Sequence, residues 1–319
     1  DVSLSLPKKN KYFNIFKKIE LEDYDILLVT GKIILFLTWL LKPIHRKKII
    51  FDMFISDYDN LVNDRKFIKK NSFKSKVVWA VDKYSCKLPN KIILDTGEHI
   101  KYFINEFGAD QNKFERVIIG ADDEIFKVAK VINKDNDKFI VHFHGTFIPL
   151  QGIEYIIKAA KLLERNKDIE FRVLGSGQTF KKIKELSLKL NTTNLRFLEY
   201  VELEKLPNYI SRSDICLGIF GNTEKARKVI PNKAYETLAM SKPLISSDTI
   251  AMREIFNDSN CQFCKVSDPE SLALAIKKLR DNSNLRNQIA NNGYMLFKNK
   301  CTPLKIGKVL KDILNKELH

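Results

Sequence analysis

Lys228-Val229-Ile230-Pro231-Asn232-Lys233-Ala234-Tyr235-Glu236-Thr237-Leu238-Ala239-Met240-Ser241-Lys242-Pro243-Leu244-Ile245 reads as a loop, a helix opened by proline and a strand. Proline costs nothing in a first helical turn, where its missing N–H would be unpaired anyway. The free amides that follow, with Lys228 and Lys233 beside them, make a helix start suited to an anion such as phosphate. Glu236 falls one turn further in, where its carboxylate can accept two hydroxyl hydrogen bonds from a ribose. Basic helix starts followed by Pro and Glu are common, so what this segment decides is the order loop, helix, strand.

Working outward, that order recurs. Strands are expected at 139–144, 169–174, 195–198, 215–219, 244–246 and 261–266, and helices at 152–163, 180–190, 203–210, 232–239 and 269–279. Ile153, Ile156, Ile157, Ala160 and Leu163 share one helical face, and Asp268 before Pro269 is an N-cap. The first part is less regular, with strands expected at 25–30, 48–51, 91–94 and 116–119 and a helix at 99–107. Such alternation predicts an α/β fold: a parallel sheet covered by helices, binding ligands at the carboxyl ends of its strands. A chain of 319 residues, 44% hydrophobic, suits two cores better than one. The polar run 133–138 is the linker candidate. The expected division is therefore 1–128, 129–298 and a C-terminal helix at 299–319 packing back on the first domain.

The net charge of +16 invites a polyanionic or phosphorylated partner. Residues up to 128 carry 23 Lys+Arg against 18 Asp+Glu, a net +5 that leaves +11 for the second part, where the phosphate-compatible loops lie. Nucleic acid is not the expected partner, because Phe and Tyr fall within strand and helix patterns as core instead of interleaving a basic face. Five cysteines without regular spacing imply no disulfide framework and favour a reducing compartment; Cys261 and Cys264 alternate within a strand as core residues. No signal peptide is evident at Asp1, so the expected location is cytoplasmic. The apolar run 33–41 is too short to span a bilayer. Followed by Lys42, His45, Arg46, Lys47 and Lys48, it has the order of a membrane-surface helix, which makes an anionic membrane a candidate partner at the inner face.

Two further loops join the opening segment. Gly145-Thr146-Phe147-Ile148-Pro149-Leu150-Gln151-Gly152 follows one strand, and Gly175-Ser176-Gly177 follows the next. Each offers backbone amides to a phosphate before a helix begins. Neither completes a dinucleotide fingerprint, but three anion-compatible loops at the strand ends of one sheet point to one ligand.

These blocks, with Leu206-Pro207-Asn208-Tyr209-Ile210-Ser211-Arg212-Ser213-Asp214-Ile215, resemble in order and spacing the nucleotide-sugar domain of the glycosyltransferases group 1, also called glycosyltransferase family 4. The resemblance covers about 129–295, and 117–126 looks like the end-of-domain signature of the same proteins. It implies a GT-B fold of two Rossmann-like domains facing a cleft, no metal or other cofactor, and a retaining sugar transfer from a nucleotide-sugar. A UDP- or GDP-sugar donor and a polysaccharide or lipid-linked glycan acceptor are expected. Glu236 matches the second glutamate of the family's Glu-x7-Glu motif, which grips the ribose, but the first falls at Lys228. The family's diphosphate-binding Arg and Lys fall at Thr146 and Gln151. Charge for the leaving phosphate is therefore expected from Lys228 and Lys233, the catalytic candidates, with the amides near Asn232. Gly145 and Gly175 belong to the donor loops, Tyr200 and Val201 to the region that reads the base, and Asp52 and Asp57, with Asp59, to the acceptor side. His144 is a weaker candidate for a role at the sugar. The first domain looks short or truncated at its start, with 1–6 read as a later strand. Together with Lys228, Thr146 and Gln151 this keeps open a second reading, a non-catalytic relative that binds sugar nucleotides or serves in an assembly.

Overall fold

A computed structural model of the chain describes residues 24–128 and 138–318; the segment 1–6 and the linker up to 137 lie outside them. The first sheet is formed by β1 (Ile26–Thr30), β2 (Lys48–Asp52), β3 (Lys91–Leu94) and β4 (Phe114–Arg116), all parallel and ordered β1-β2-β3-β4. Its helices are α1 (Lys32–Leu40), α2 (Phe73–Ser85) and α3 (Gly97–Phe107). Thr96 accepts from the His99 amide and so caps α3, whose Phe103 and Phe107 drop into a core with Ile49, Phe51, Ile92 and Leu94.

The second sheet has β5 (Phe139–His144), β6 (Ile169–Leu174), β7 (Leu195–Leu198), β8 (Ile215–Leu217), β9 (Leu244–Ser247) and β10 (Gln262–Cys264), again all parallel. Their order is β10-β9-β8-β5-β6-β7. The chain runs outward from β5 to β7, then returns to lay β8 on the other side of β5. That reversal opens a crevice between the carboxyl ends of β5 and β8, the place where doubly wound sheets bind nucleotides. The helices include α4 (Ile153–Leu162), α5 (Phe180–Lys189), α6 (Asn232–Ala239), α7 (Pro269–Asp281), α8 (Ser283–Leu296) and α9 (Pro303–Leu318). In α4, Ile153, Ile156, Ile157 and Ala160 are buried, the face its periodicity predicts. Asp268 accepts from the amides of Glu270 and Ser271 at the head of α7. Cys261 and Cys264 are buried, and burial raises both thiols, Cys264 to about 12.

Two local expectations change. The last strand of the first sheet is Phe114–Arg116, earlier than 116–119. Beyond it the chain leaves the sheet because Ile118, Ile119, Ala121 and Phe126 find apolar partners around Tyr235 and Cys301, in the core of the second sheet. Pro231 sits at the N-cap with φ −74° and ψ 145°, one residue outside the helix it was expected to open.

Several bonds fasten the two sheets' units together. Glu254 accepts from the amides of Gly97 (2.8 Å) and Glu98 (3.0 Å) and pairs with Arg116 at 2.6 Å, so a carboxylate of the second unit caps a helix of the first. Thr96 Oγ1 donates to the Lys228 carbonyl at 2.6 Å. Glu317, near the end of α9, lies 3.7 Å from Lys48 Nζ and 3.9 Å from Lys91 Nζ, at the foot of the first sheet.

Candidate functional site

At the end of β5 the backbone passes through Gly145 (φ +146°), and the next loop through Gly175 (φ +133°), both in a region that side chains disfavour. A Cβ on Gly175 would stand 2.1 Å from the Gly145 carbonyl oxygen, so the two loops touch backbone to backbone. On the other side, a Cβ on Gly152 would stand 2.3 Å from the Gly221 nitrogen, which joins the first loop to the one after β8.

Into this crevice α6 sends two charged side chains. Lys233 is buried; its Nζ donates to Gln151 Oε1 at 2.6 Å and lies 3.6 Å from the Phe143 ring centroid. Gly145 leaves room for it, since a Cβ there would be 2.9 Å from Nζ. Burial holds the amine well below its ordinary range, with the Glu236 carboxylate pulling the other way. One turn on, Glu236 Oε2 accepts a 2.8 Å bond from His144 Nε2, which makes Nε2–H the donor tautomer and leaves Nδ1 bare. His142 stacks behind His144 with ring centroids 5.2 Å apart. Burial lowers both imidazoles, and the bond to Glu236 opposes the effect at His144.

These buried imidazoles carry a pH signature. A histidine whose folded pKa is depressed leaves the unfolded chain holding more protons, so its contribution is intact above the ordinary value of 6.5 and is lost as pH falls below it. Below that point stability is expected to decline as pH falls, by at most about 1.4 kcal/mol per pH unit for each histidine and more persistently for His142, whose shift no carboxylate opposes. Urea melts between neutral and mildly acid pH check this, and His142→Asn should flatten the slope.

Lys228 behaves otherwise. Its amine meets Asp59 Oδ2 of the first unit at 2.9 Å and lies 3.7 Å from the Tyr102 ring centroid. Asp59 comes from a π-helical turn, Asp59–Asp64, whose Asn60 also accepts from Lys225 Nζ at 2.8 Å. Buried Asp64 faces Lys225; burial raises its carboxyl and lowers the Lys225 amine. Beside this junction a cavity of about 520 Å³ is lined by Lys101, Tyr102 and Glu106 from α3 and by Arg227, Lys228 and Asp248 from the second unit.

The sequence family described as glycosyl transferases group 1 matches residues 124–295, more than half of the chain. The chain belongs to this family. Among its relatives, an uncharacterized glycosyltransferase of Methanocaldococcus jannaschii is 27% identical over 230 residues, 71% of this chain and 59% of the relative. A capsular polysaccharide biosynthesis glycosyltransferase, CapM of Staphylococcus aureus, is 23% identical over 236 residues, 71% of this chain and 56% of CapM. The chain thus spans under two thirds of the length of these relatives. Anabaena HepE, solved with UDP and glucose, superposes with a TM-score of 0.74 at 13% identity over 96% of this chain and 81% of that one. A sucrose-phosphate synthase of Thermosynechococcus elongatus gives 0.77 at 14% identity, over 98% and 80%. The fold is GT-B, two Rossmann-like domains.

Within that fold Gly145, Gln151, Gly175, Lys233 and Glu236 come together at the β5–β8 crevice, with Thr146 and Asn232 exposed on the same two segments. Tyr200 (72% exposed) and Val201 follow β7, on the flank of β6. Of the acceptor candidates, Asp57 pairs with Lys32 at 2.6 Å beside buried Asp82, and half-buried Asp52 ends β2 with its carboxyl raised by burial; neither lines the cavity. Sequence reading missed Tyr102, Lys225 and Asp64. No local pattern marks them, because they meet only when the two domains do. It named Asp59, but on the acceptor side and without its lysine partner.

Stranding one partner of a buried ion pair costs about 3 kcal/mol or more, while replacing both can be nearly neutral. Asp59→Leu or Lys228→Met alone is therefore expected to destabilise by about that amount, and the double variant by much less. A chemical-denaturation double-mutant cycle measures the difference; additive single effects would mean that the pair does not bind the domains.

Proposed function

We propose that residues 129–298 are the nucleotide-sugar-binding domain, and 1–128 the acceptor-side domain, of a retaining glycosyltransferase. It would move a sugar from a UDP- or GDP-sugar to a polysaccharide or lipid-linked glycan acceptor at the inner face of a membrane. The observation that carries the reading is the convergence of Lys233, Gln151, Glu236 and His144 at the β5–β8 crevice of a GT-B sheet. Glu236 would hold the ribose, and His144 would fix its carboxylate in place. Lys233, with the free amides at the head of α6, would meet the diphosphate, and the surface around Tyr200 the base. UDP is favoured by its presence in HepE, and a polysaccharide acceptor by the kinship with CapM. No metal is required in this scheme: the departing diphosphate takes the acceptor hydroxyl's proton, and the protein supplies position and charge stabilisation.

A second reading, a relative that binds sugar nucleotides without turnover, is favoured by one observation. Lys228, standing where the family carries a glutamate, is engaged by Asp59. A melting-temperature screen against UDP, GDP, ADP and CMP and their sugar conjugates names the donor. Donor hydrolysis or transfer, followed by release of the nucleoside diphosphate, then separates the readings. Binding without release would favour the second, and no binding by folded protein would remove both.

A further inference from the structure

We propose that α2 and the loop before it, together with the outer side of α1, form a docking face for an anionic lipid surface. The proposal deepens the membrane part of the reading above and moves its centre to residues that sequence analysis left unassigned. In α2, Phe73, Val77, Val81 and Tyr84 recur at helical spacing and are all exposed, Phe73 by 82%. They therefore form an apolar stripe pointing away from the core that Trp79 and Cys86 join. Around it stand exposed Lys69, Lys70, Lys74 and Lys76. Between 65 and 85 the sequence has one acid, Asp82, and it is buried against Lys32 and Ser56, so this segment presents cations and apolar groups without an exposed carboxylate of its own.

The neighbouring helix extends the face. Right-handed crossovers between parallel strands laid in sequence order put α1 and α2 on the same side of the first sheet. The Lys32–Asp82 ion pair ties them together. Outward from α1 project Ile33, Phe36 and Leu40, and Ile44 follows; residues 26–51 contain no acid at all. Scattered exposed apolar side chains need no explanation, but an apolar stripe edged by lysines and free of acids does. A second protein would satisfy the apolar part alone. The charge selects a surface that is apolar beneath and negative on top, as anionic lipid is. Among the described residues no helix is long and apolar enough to cross a membrane.

The test is flotation of the full chain with vesicles of phosphatidylcholine alone and of phosphatidylcholine mixed with phosphatidylglycerol. Binding to the anionic vesicles should be at least tenfold stronger. It should weaken as salt rises from about 0.1 M to about 1 M, which shortens the screening length from ~10 Å to ~3 Å. Each lysine near the surface is worth about fivefold, so Lys69→Glu/Lys70→Glu/Lys74→Glu should remove the anionic preference. Phe73→Ser/Val77→Ser should remove the binding that survives salt. Both variants alter exposed side chains only, and an unchanged cooperative melt of the ligand-free protein verifies that each is folded. Vesicle binding needs no donor, so a failed donor screen with intact flotation overturns the proposed function and not this face. Equal binding to neutral and anionic vesicles would overturn the face, as would binding indifferent to both variants. So would self-association abolished by Phe73→Ser/Val77→Ser in the absence of flotation, which would make a second copy the occupant.

Discussion

Glu236→Ala is expected to abolish the melting shift that the cognate nucleotide produces. A ligand at a hundred times its dissociation constant stabilises the native state by about 2.7 kcal/mol, and a hydrogen bond to a charged group contributes about 1.5–3 kcal/mol. Losing two such bonds to a ribose lowers affinity by at least two orders of magnitude, enough to erase the shift. The substitution also strips His144 Nε2 of its 2.8 Å partner, leaving a buried N–H unpaired. Ligand-free protein should therefore melt lower as well. Glu236→Gln separates the two effects. Its amide oxygen can still accept from His144, so stability should return while affinity recovers only in part. An unaltered nucleotide shift in the alanine variant would place the donor elsewhere.

Lys233→Met should act on activity and on the pH dependence of stability. If Lys233 stabilises the leaving diphosphate, its loss should lower kcat about a hundred- to a thousandfold, the scale of one preorganised electrostatic contact. The same amine is held well below its ordinary range by burial, so the folded state suffers for keeping it. The unfolded chain binds the proton more readily, and stability therefore rises with pH towards the ordinary lysine range. Methionine keeps the apolar length over Phe143 without that penalty but strips buried Gln151 of its donor, so the ligand-free variant should lose the rise of stability with pH and gain on the parent as pH falls. A diphosphate beside the amine would draw a proton onto it. Calorimetry in buffers of differing ionisation enthalpy should register proton uptake on binding, and Lys233→Met should lose it. A variant with full kcat would remove Lys233 from the chemistry.

Much of the second domain was legible because its signals are local. A helix at 232–239 and strands at 139–144 and 169–174 are written in short-range periodicity, and the structure returns those bounds. The close pairing of Lys233 with Gln151 was foreseeable only as two residues that belong to one ligand; their 2.6 Å bond needs the fold. Lys228 was misleading for the same reason. Read alone it is a cation at a helix start, whereas its partner Asp59 comes from a turn of the first domain 169 positions earlier, with no trace in the surrounding sequence. The strand expected at 116–119 failed because β-branched residues suit any apolar contact. Ile118 and Ile119 spend theirs on the second domain's core. Helix α2 escaped notice because its apolar stripe faces outward and its core face holds Ser75, Asp82 and Ser85, the reverse of the pattern that periodicity analysis seeks.

The contacts of Gly175 with Gly145, and of Gly152 with Gly221, bear on how this domain tolerates change. Three loops are locked by main chain against main chain, like stones in an arch, with Ile148 and Leu150 packed against Ile219 and Val229 as mortar on one side. The seat proposed for the donor can thus outlast replacement of nearly everything displayed upon it. Thr146 and Gln151 stand where the family resemblance expects arginine and lysine, and the loops that carry them touch main chain to main chain all the same. In a deep mutational scan the stones should be intolerant and their ornaments permissive. Folding and expression should collapse at Gly152 and Gly175, whereas substitutions at Thr146 and Asn232 should alter which sugar nucleotide is accepted and leave the domain standing.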